Sequence, residues 1–314
     1  MRFGIYANIR KVELHSTLEH LLHLLSPEPC ATLSSLREYV GNRQVTFYDS
    51  ANELAANSDV IVSLGGDGTM LTAARAIMRE NPAAKLVGVN LGHLGFISEH
   101  SPNALEELIV AVKQGTMTEE NRLVLEGLLT SESNEKTGVL IRRDVLTPSR
   151  EGERGDSARA CALNEIVIDN FGSTRMLTFE IRVQGSLLGT LRADGILVST
   201  PTGSTGYSVS AGGPIVEPTS PVLIISPIAA HSLTVRPVVV PEWYEIDLRI
   251  YNDASSSVLA VADGQEEVVI ETPAIVRLSG HQNRLKLLRH PSQSYFDLLR
   301  NKLLWSADIR GLRA

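Results

Sequence analysis

The N-terminal third of the chain alternates between short apolar runs and stretches whose apolar residues recur every three or four positions. FGIYAN from Phe3, VTFYDS from Val45, DVIVSLGG from Asp59 and KLVGVNLG from Lys85 are runs of the first kind and predict strands. Between them VELHSTLEHLLHLL, TMLTAARAIMRE and NALEELIVAVKQG predict amphipathic helices. Strands interleaved with helices predict a parallel sheet covered on both faces, so residues 1–120 read as an α/β domain. From Asn121 the pattern becomes a succession of short alternating strands punctuated by Gly, Pro and Asn: RLVLEGLLT, GVLIRRDVL, ALNEIVIDN, LTFEIRVQG, GILVST, VLIISPI, EIDLRIY, VLAVADG, EVVIE and AIVRLSG. Residues 121–292 therefore read as an all-β, sandwich-like domain. The helical period returns in YFDLLRNKLLW (Tyr295–Trp305), so residues 293–314 are expected to pack back on the first domain, because an amphipathic helix needs a partner face. PSREGERGDSAR (Pro148–Arg159) reads as a mobile charged loop.

Composition narrows the class of protein. The 314 residues are 43% hydrophobic and 21% charged, which is ordinary for a globular chain with two cores. A formal net charge of −7 argues against a nucleic-acid partner but leaves room for a small anion at a locally positive site. No apolar run is long enough to span a bilayer, and the N-terminus reads as a strand, so no membrane partner and a cytoplasmic location are expected. The two cysteines, Cys30 and Cys161, lack metal-ligand spacing and fit a reducing compartment. His15, His20 and His23 share a helix without an acid or thiol to complete a metal set and read as solvated. No protein metal site is expected.

The chemistry concentrates at VIVSLGGDGTML, where an apolar strand stops at Gly65, Gly66 and Gly68 and a helix opens through Thr69. Glycines let a backbone approach an anion, and a helix start offers unpaired N–H groups and a positive dipole end, which is a phosphate-binding geometry. It is neither a Walker A loop nor a GxGxxG fingerprint. Asp67 sits in its middle. One reading makes it a helix cap. The other makes it the group that accepts or orients the proton of a hydroxyl receiving a phosphoryl group, a task for which a carboxylate is suited although it repels phosphate.

Further motifs stand in order after this turn: NLGHLGFISE (Asn90–Glu99), LNEIVID (Leu163–Asp169), ADGILVSTPTGSTGYSVSAGGPIV (Ala193–Val216), HSLTVRPVVVP, DGQ and SYFDLLRNKLLW. Together they resemble the NAD kinase family over nearly the whole chain. The resemblance implies a Rossmann-like first domain, transfer of a phosphoryl group from ATP to the 2′-hydroxyl of the adenosine ribose of NAD, and Mg²⁺ or another divalent cation arriving with the ATP. It implies that Asn164 and Glu165 hold ribose hydroxyls and adenine, and that Asp194, Thr202, Thr205, Gly206 and Ser210 line the dinucleotide site. Gly206 stands where alanine is commoner. Asp263 joins that site or merely makes a turn, and Phe96 either packs on adenine or belongs to the core. His93 reads as a buried, satisfied histidine. An arginine two residues before the motif aspartate, here Arg192, goes with ATP rather than polyphosphate as donor. A homodimer or homotetramer is the family's usual state. Two alternatives stay open at this point: a lipid kinase sharing the GGDGT motif, and a dinucleotide-binding regulatory protein without catalysis.

Overall fold

The computed structural model describes residues 1–92, 95–132, 143–144, 157–171, 175–251, 257–292 and 294–303. His93, residues 148–156 of the expected charged loop and residues 304–314, with Trp305, lie outside the described residues. The chain divides into two compact units, 1–121 with 285–314 and 122–284.

The first unit is built on a seven-stranded sheet in the order Thr46–Tyr48, Cys30–Leu33, Phe3–Ala7, Val60–Gly65, Lys85–Asn90, Leu285–Arg289, Thr118–Arg122. Each pair from Thr46–Tyr48 across to Leu285–Arg289 is parallel. Helix Leu14–Leu25 buries Leu14, Leu18, Leu21, Leu22 and Leu25, the stripe its periodicity predicts. It shares one core with Leu105–Gln114 and with Phe3, Ile5, Val60, Val62 and Leu64 of the sheet. Helix Asp67–Glu80 covers the other face, where Gly88 leaves room for the Met70 thioether. A parallel sheet buried on both faces explains why its central strands read as unbroken apolar runs.

The second unit contains two sheets in which every described pair is antiparallel. One runs Val238–Pro241, Val222–Ile228, Gly195–Ser199, Glu165–Phe171, Ser257–Ala262, Glu266–Glu271, Arg143–Asp144. The other runs Ser186–Ala193, Leu177–Val183, Ile246–Tyr251, Ala274–Gly280, Leu125–Ser131, Ser157–Ala162. Alternate residues of both, among them Ile166, Ile168, Ile196, Phe179, Leu248 and Val276, form one core, as sandwich packing requires.

Several elements depart from the sequence reading, four of them instructively. Ser157–Arg159 belong to a strand paired with Leu125–Ser131, not to a loop, because the inward positions are alanines that give almost no hydrophobic signal. Ser186–Ala193 was not expected as a strand. It is the return arm of a hairpin whose two-residue turn, Gln184 and Gly185, has both φ angles positive, at 51° and 73°, the pattern of a type I′ turn. Cys30–Leu33 was likewise not expected as a strand and adds one to the first sheet. Leu285–Arg289, which the sequence reading left in the β-rich stretch, inserts parallel to Lys85–Asn90 in the first unit. Nothing local distinguishes a five-residue apolar strand that joins a distant sheet from one that joins its neighbours.

Candidate active site

The glycine turn lies at the carboxyl end of Val60–Gly65, a fully buried central strand, where open α/β sheets present ligand crevices. Gly66 is the N-cap of helix Asp67–Glu80, and its N–H donates to Thr69 Oγ1 at 3.4 Å. Gly68 is exposed and Thr69 buried. Asp67 is the first helical residue and caps nothing in its own helix. Its carboxylate instead reaches across to the loop that follows Lys85–Asn90. Phe96 N–H donates to Oδ2 at 2.8 Å. Oδ1 accepts from Ile97 N–H at 3.3 Å, Ser98 N–H at 2.9 Å and Ser98 Oγ at 2.7 Å. Gly95 is obligatory here, because a Cβ at that position would overlap Asp67 Oδ1. The loop is held from its other side by Asn90, whose Nδ2 donates to Ser98 Oγ at 2.8 Å and whose N–H donates to His100 O at 2.7 Å. Phe96 is half-buried, with the Lys302 ammonium 5.7 Å from its ring centroid.

One nearby cation escaped the sequence reading. Lys11, in the turn after Phe3–Ala7, is half-buried and makes no side-chain hydrogen bond or ion pair among the described residues. Its ammonium lies over Gly92, where an added Cβ would come within 3.1 Å, and Leu91 N–H donates to Gly65 O at 2.8 Å. The lysine thus stands beside the glycine turn although it is far from it in sequence. Its only sequence signal is a basic pair, Arg10–Lys11, at the end of a first strand.

In the second unit, Glu165 opens the central strand Glu165–Phe171 and pairs with Ser199 across the ladder. Asp263 adopts φ 53° in the turn after Ser257–Ala262. Its Oδ1 accepts from Asn164 N–H at 2.7 Å and its Oδ2 from Leu163 N–H at 3.1 Å, while its own N–H donates to Glu165 O at 3.0 Å. Asp263 therefore makes a turn that fixes the entry to the strand bearing Asn164 and Glu165. Burial, then the neighbouring Asp263 charge, push the Glu165 carboxyl up to about 8, against a smaller opposing effect of a hydrogen bond from the Tyr207 backbone. Glu165 Oε2 and Asn164 Oδ1 are buried without a hydrogen-bond partner.

The hydroxyl-rich loop wraps the same strand entry. Thr200 N–H donates to Asn164 O at 2.9 Å, and a Cβ at Gly203 would overlap the Asn164 backbone. The buried Thr202 hydroxyl accepts from Nη1 of Arg122 at 3.3 Å, and Arg122 is 1% exposed. Thr205 Oγ1 donates to Thr202 O at 3.4 Å. Gly206 faces the acid directly, since a Cβ there would lie 3.1 Å from Glu165 Oε2. Asn164, Glu165, Asp263, Thr202, Thr205 and Gly206 are thus gathered around one strand end. Ser210 lies on the exposed side of the short helix Tyr207–Ser210. Arg192 and Asp194 are exposed and sit apart: Gly195 pairs with Asp169 while Ser199 pairs with Glu165, so Asp194 is about 16 Å along the strand from Glu165.

A parallel α/β unit with an acid in a glycine turn and a two-sheet β unit with unpartnered buried acceptors fit the class of nucleotide phosphotransferases. The sequence profile described as ATP-NAD kinase N-terminal domain matches residues 4–117, and that described as ATP-NAD kinase C-terminal domain matches residues 163–290. NAD kinases from Bacteroides fragilis and Chlorobium limicola are each 33% identical, the first over 99% of this chain and 100% of its own length, the second over 98% of both. The chain belongs to the NAD kinase family. Its fold agrees with that of yeast NADH kinase complexed with NADH, at a TM-score of 0.80 and 21% identity over 100% of this chain and 89% of that one. An NAD kinase from Archaeoglobus fulgidus in complex with ATP gives 0.69 at 24% identity over 97% and 99%. The lipid-kinase and non-catalytic alternatives gain no support from these relatives.

Proposed function

We infer that the chain transfers the γ-phosphoryl group of ATP to the 2′-hydroxyl of the adenosine ribose of NAD, releasing NADP and ADP. The observation that carries the dinucleotide assignment is the pair of buried oxygens, Glu165 Oε2 and Asn164 Oδ1, that no protein group satisfies. Leaving such groups unpaired costs on the order of 1–3 kcal/mol each, and ribose hydroxyls and an adenine amine are the donors that remove the penalty. Thr202, Thr205, Gly206 and Ser210 line the same ligand, with Asp263 holding the strand entry in place.

In the first unit, the backbone of Gly65, Gly66, Gly68 and Thr69, with the helix start, takes the donor phosphates, and Lys11 supplies a positive charge beside them. Asp67 accepts the proton of the attacking hydroxyl as the phosphoryl group moves onto its oxygen. Oδ1 accepts three hydrogen bonds and Oδ2 one, which leaves a lone pair on Oδ2 for the hydroxyl proton. Phe96 belongs to the loop that holds this carboxylate. Among the described residues no group of three or more His, Cys, Asp or Glu converges as a metal site. A Mg²⁺ or other divalent ion would arrive with the ATP, keeping its waters and using few protein ligands. When bound, the ion neutralises charge on the donor phosphates.

Arg192 favours ATP over polyphosphate in this reading. Exposed Leu187 and Leu188 share its strand, and Leu188 borders a groove of about 210 Å³ with Ile181, Ile225 and Val238. We assign this edge to a homo-oligomer contact that brings Arg192 and Asp194 into a shared dinucleotide site. No described helix is long and apolar enough to cross a membrane. Cys30 and Cys161 are both free, which supports a reducing, cytoplasmic compartment. The test incubates the purified chain with NAD, ATP and Mg²⁺ and follows NADP with a coupled dehydrogenase. NADP formation is expected, and its absence with intact fold sinks the assignment. Light scattering that shows a fully active monomer overturns the shared site.

A further inference from the structure

The first unit contains a buried ionic junction to which phosphoryl transfer assigns no task. Arg289, 6% exposed, ends strand Leu285–Arg289. Its Nε and Nη2 donate to Glu99 Oε2 at 2.9 and 2.8 Å, and its Nη1 donates to Glu120 Oε1 at 2.8 Å. The three residues come from remote parts of the chain. Glu99 closes the loop after Lys85–Asn90, Glu120 lies on Thr118–Arg122 where the chain leaves the unit, and Arg289 lies where it has returned. Replacing a buried ionic cluster by apolar residues is often neutral or stabilising, so stability alone does not account for it. What the junction fixes does account for it. Glu99 is bonded to Ser98, and Ser98 gives Asp67 two of its four hydrogen bonds.

Asn90 grips the inner side of the loop through Ser98 and His100, and Arg289 grips the intervening residue, Glu99. Between them they hold Ser98 and Glu99, and Ser98 in turn holds the Asp67 carboxylate. We propose that Arg289 is a positioning residue for phosphoryl transfer: by holding Glu99 it sets Ser98, and through Ser98 the orientation of the Asp67 carboxylate. The proposal rests on Asp67 being the acceptor of the hydroxyl proton. An arginine is required, because a planar fork serves two carboxylates at once and an ammonium on a flexible stem does not hold the same geometry.

The test is a double-mutant cycle on turnover with NAD and ATP, using Arg289→Lys, Ser98→Ala and the pair. Misplacing a catalytic group by about 1 Å costs on the order of a hundredfold. Arg289→Lys is therefore expected to lower kcat by about ten- to a hundredfold, with KM for NAD and ATP within about twofold. The pair is expected to be little slower than the slower single variant, since both act through the same loop. A merely structural Arg289 lowers the melting temperature and the folded fraction, leaves kcat per folded molecule unchanged, and gives effects that multiply. Either result overturns the proposal. If Arg289→Lys does not fold, Glu99→Gln, which keeps an acceptor for the guanidinium, carries the same cycle. Asp67→Asn separates the two levels. Normal turnover in that variant removes the underlying reading, whereas a dead Asp67→Asn beside a normal Arg289→Lys removes only this inference.

Discussion

Asp67 and Glu165 are both acids at strand ends, and the protein treats them in opposite ways. Asp67 is half-buried and its carboxylate is anchored by four donors from a single loop, three on Oδ1 and one on Oδ2. Glu165 is buried beside a second acid, Asp263, with Oε2 left unpartnered. The first arrangement is complete before any ligand arrives, so no reorganisation is needed at the moment of reaction. The second is incomplete, and a ligand that supplies hydroxyl donors relieves the strain. A group that acts in the transition state gains from preorganisation, and a group that grips the ground state gains from being left unsatisfied.

The largest effect expected is at Asp67. Asp67→Asn removes the proposed proton acceptor, and general-base assistance is worth about 10²–10⁴-fold in turnover. On the sequence alone asparagine leaves the fold untouched. The structure changes that expectation, because an amide that keeps its oxygen toward Ile97 and Ser98 must turn its NH₂ against the Phe96 N–H. A stability loss of about 1–2 kcal/mol is therefore expected together with the kinetic loss. Kinetics per folded molecule check the first, and thermal melts the second. Full turnover in the folded variant erases the distinction between the two acids.

Glu165→Gln comes next. Losing charge-assisted hydrogen bonds of about 1.5–3 kcal/mol each raises KM for NAD by about ten- to a hundredfold while kcat at saturation holds. The same variant sharpens the comparison through pH. Ribose hydroxyls favour the carboxylate, so NAD binding at neutral pH expels the proton that burial holds up to about 8. Affinity for NAD then rises from neutral pH toward 8. Calorimetry in two buffers of different ionisation enthalpy measures the release directly, and a binding heat independent of buffer refutes it.

A smaller effect concerns the unliganded protein. An ordinary glutamate releases its proton near 4.5, whereas the folded Glu165 keeps it up to about 8. Its contribution to stability is therefore whole below about 4.5, falls as pH rises and is gone above about 8. The melting temperature of the wild type should drop more steeply over that window than that of Glu165→Gln, and parallel curves would show that Glu165 is not held protonated. The smallest effect is at Gly206→Ala. The φ of −92° accepts any residue, and the added Cβ needs Glu165 Oε2, 3.1 Å away, to give slightly. A stabilisation of about 0.4–1 kcal/mol from a stiffer unfolded chain is expected, with KM for NAD changed less than about threefold. A large rise in KM would mean that the acid has no room to move.

What could be read in the sequence was local. The apolar pattern predicts Leu14–Leu25, Asp67–Glu80, Val222–Ile228 and Ala274–Gly280 closely, because the first and last bury a regular face and the other two are buried along a continuous run. It misses Ser186–Ala193, with exposed leucines and a glycine, and Ser157–Ala162, whose inward residues are alanines. The motifs point to Asp67, Asn164 and Glu165 because glycine turns and strand-end acids are one-dimensional signals. They do not separate an anchored carboxylate from one with an orphaned oxygen, since the neighbours that decide it, Phe96 to Ser98 in one case and Asp263 in the other, lie about thirty and a hundred residues away.

By itself the sequence determined the two kinds of domain, the glycine turn and the acids in it, because backbone freedom, side-chain period and charge are properties of neighbouring residues. Only the tertiary structure decided where the strand Leu285–Arg289 inserts, that Arg289 meets Glu99 and Glu120, that Lys11 stands beside Gly92, and that one acid is satisfied while the other is not. Those outcomes depend on which distant groups burial brings within about 3 Å, the range over which hydrogen bonds and desolvation act, and no local pattern encodes that distance.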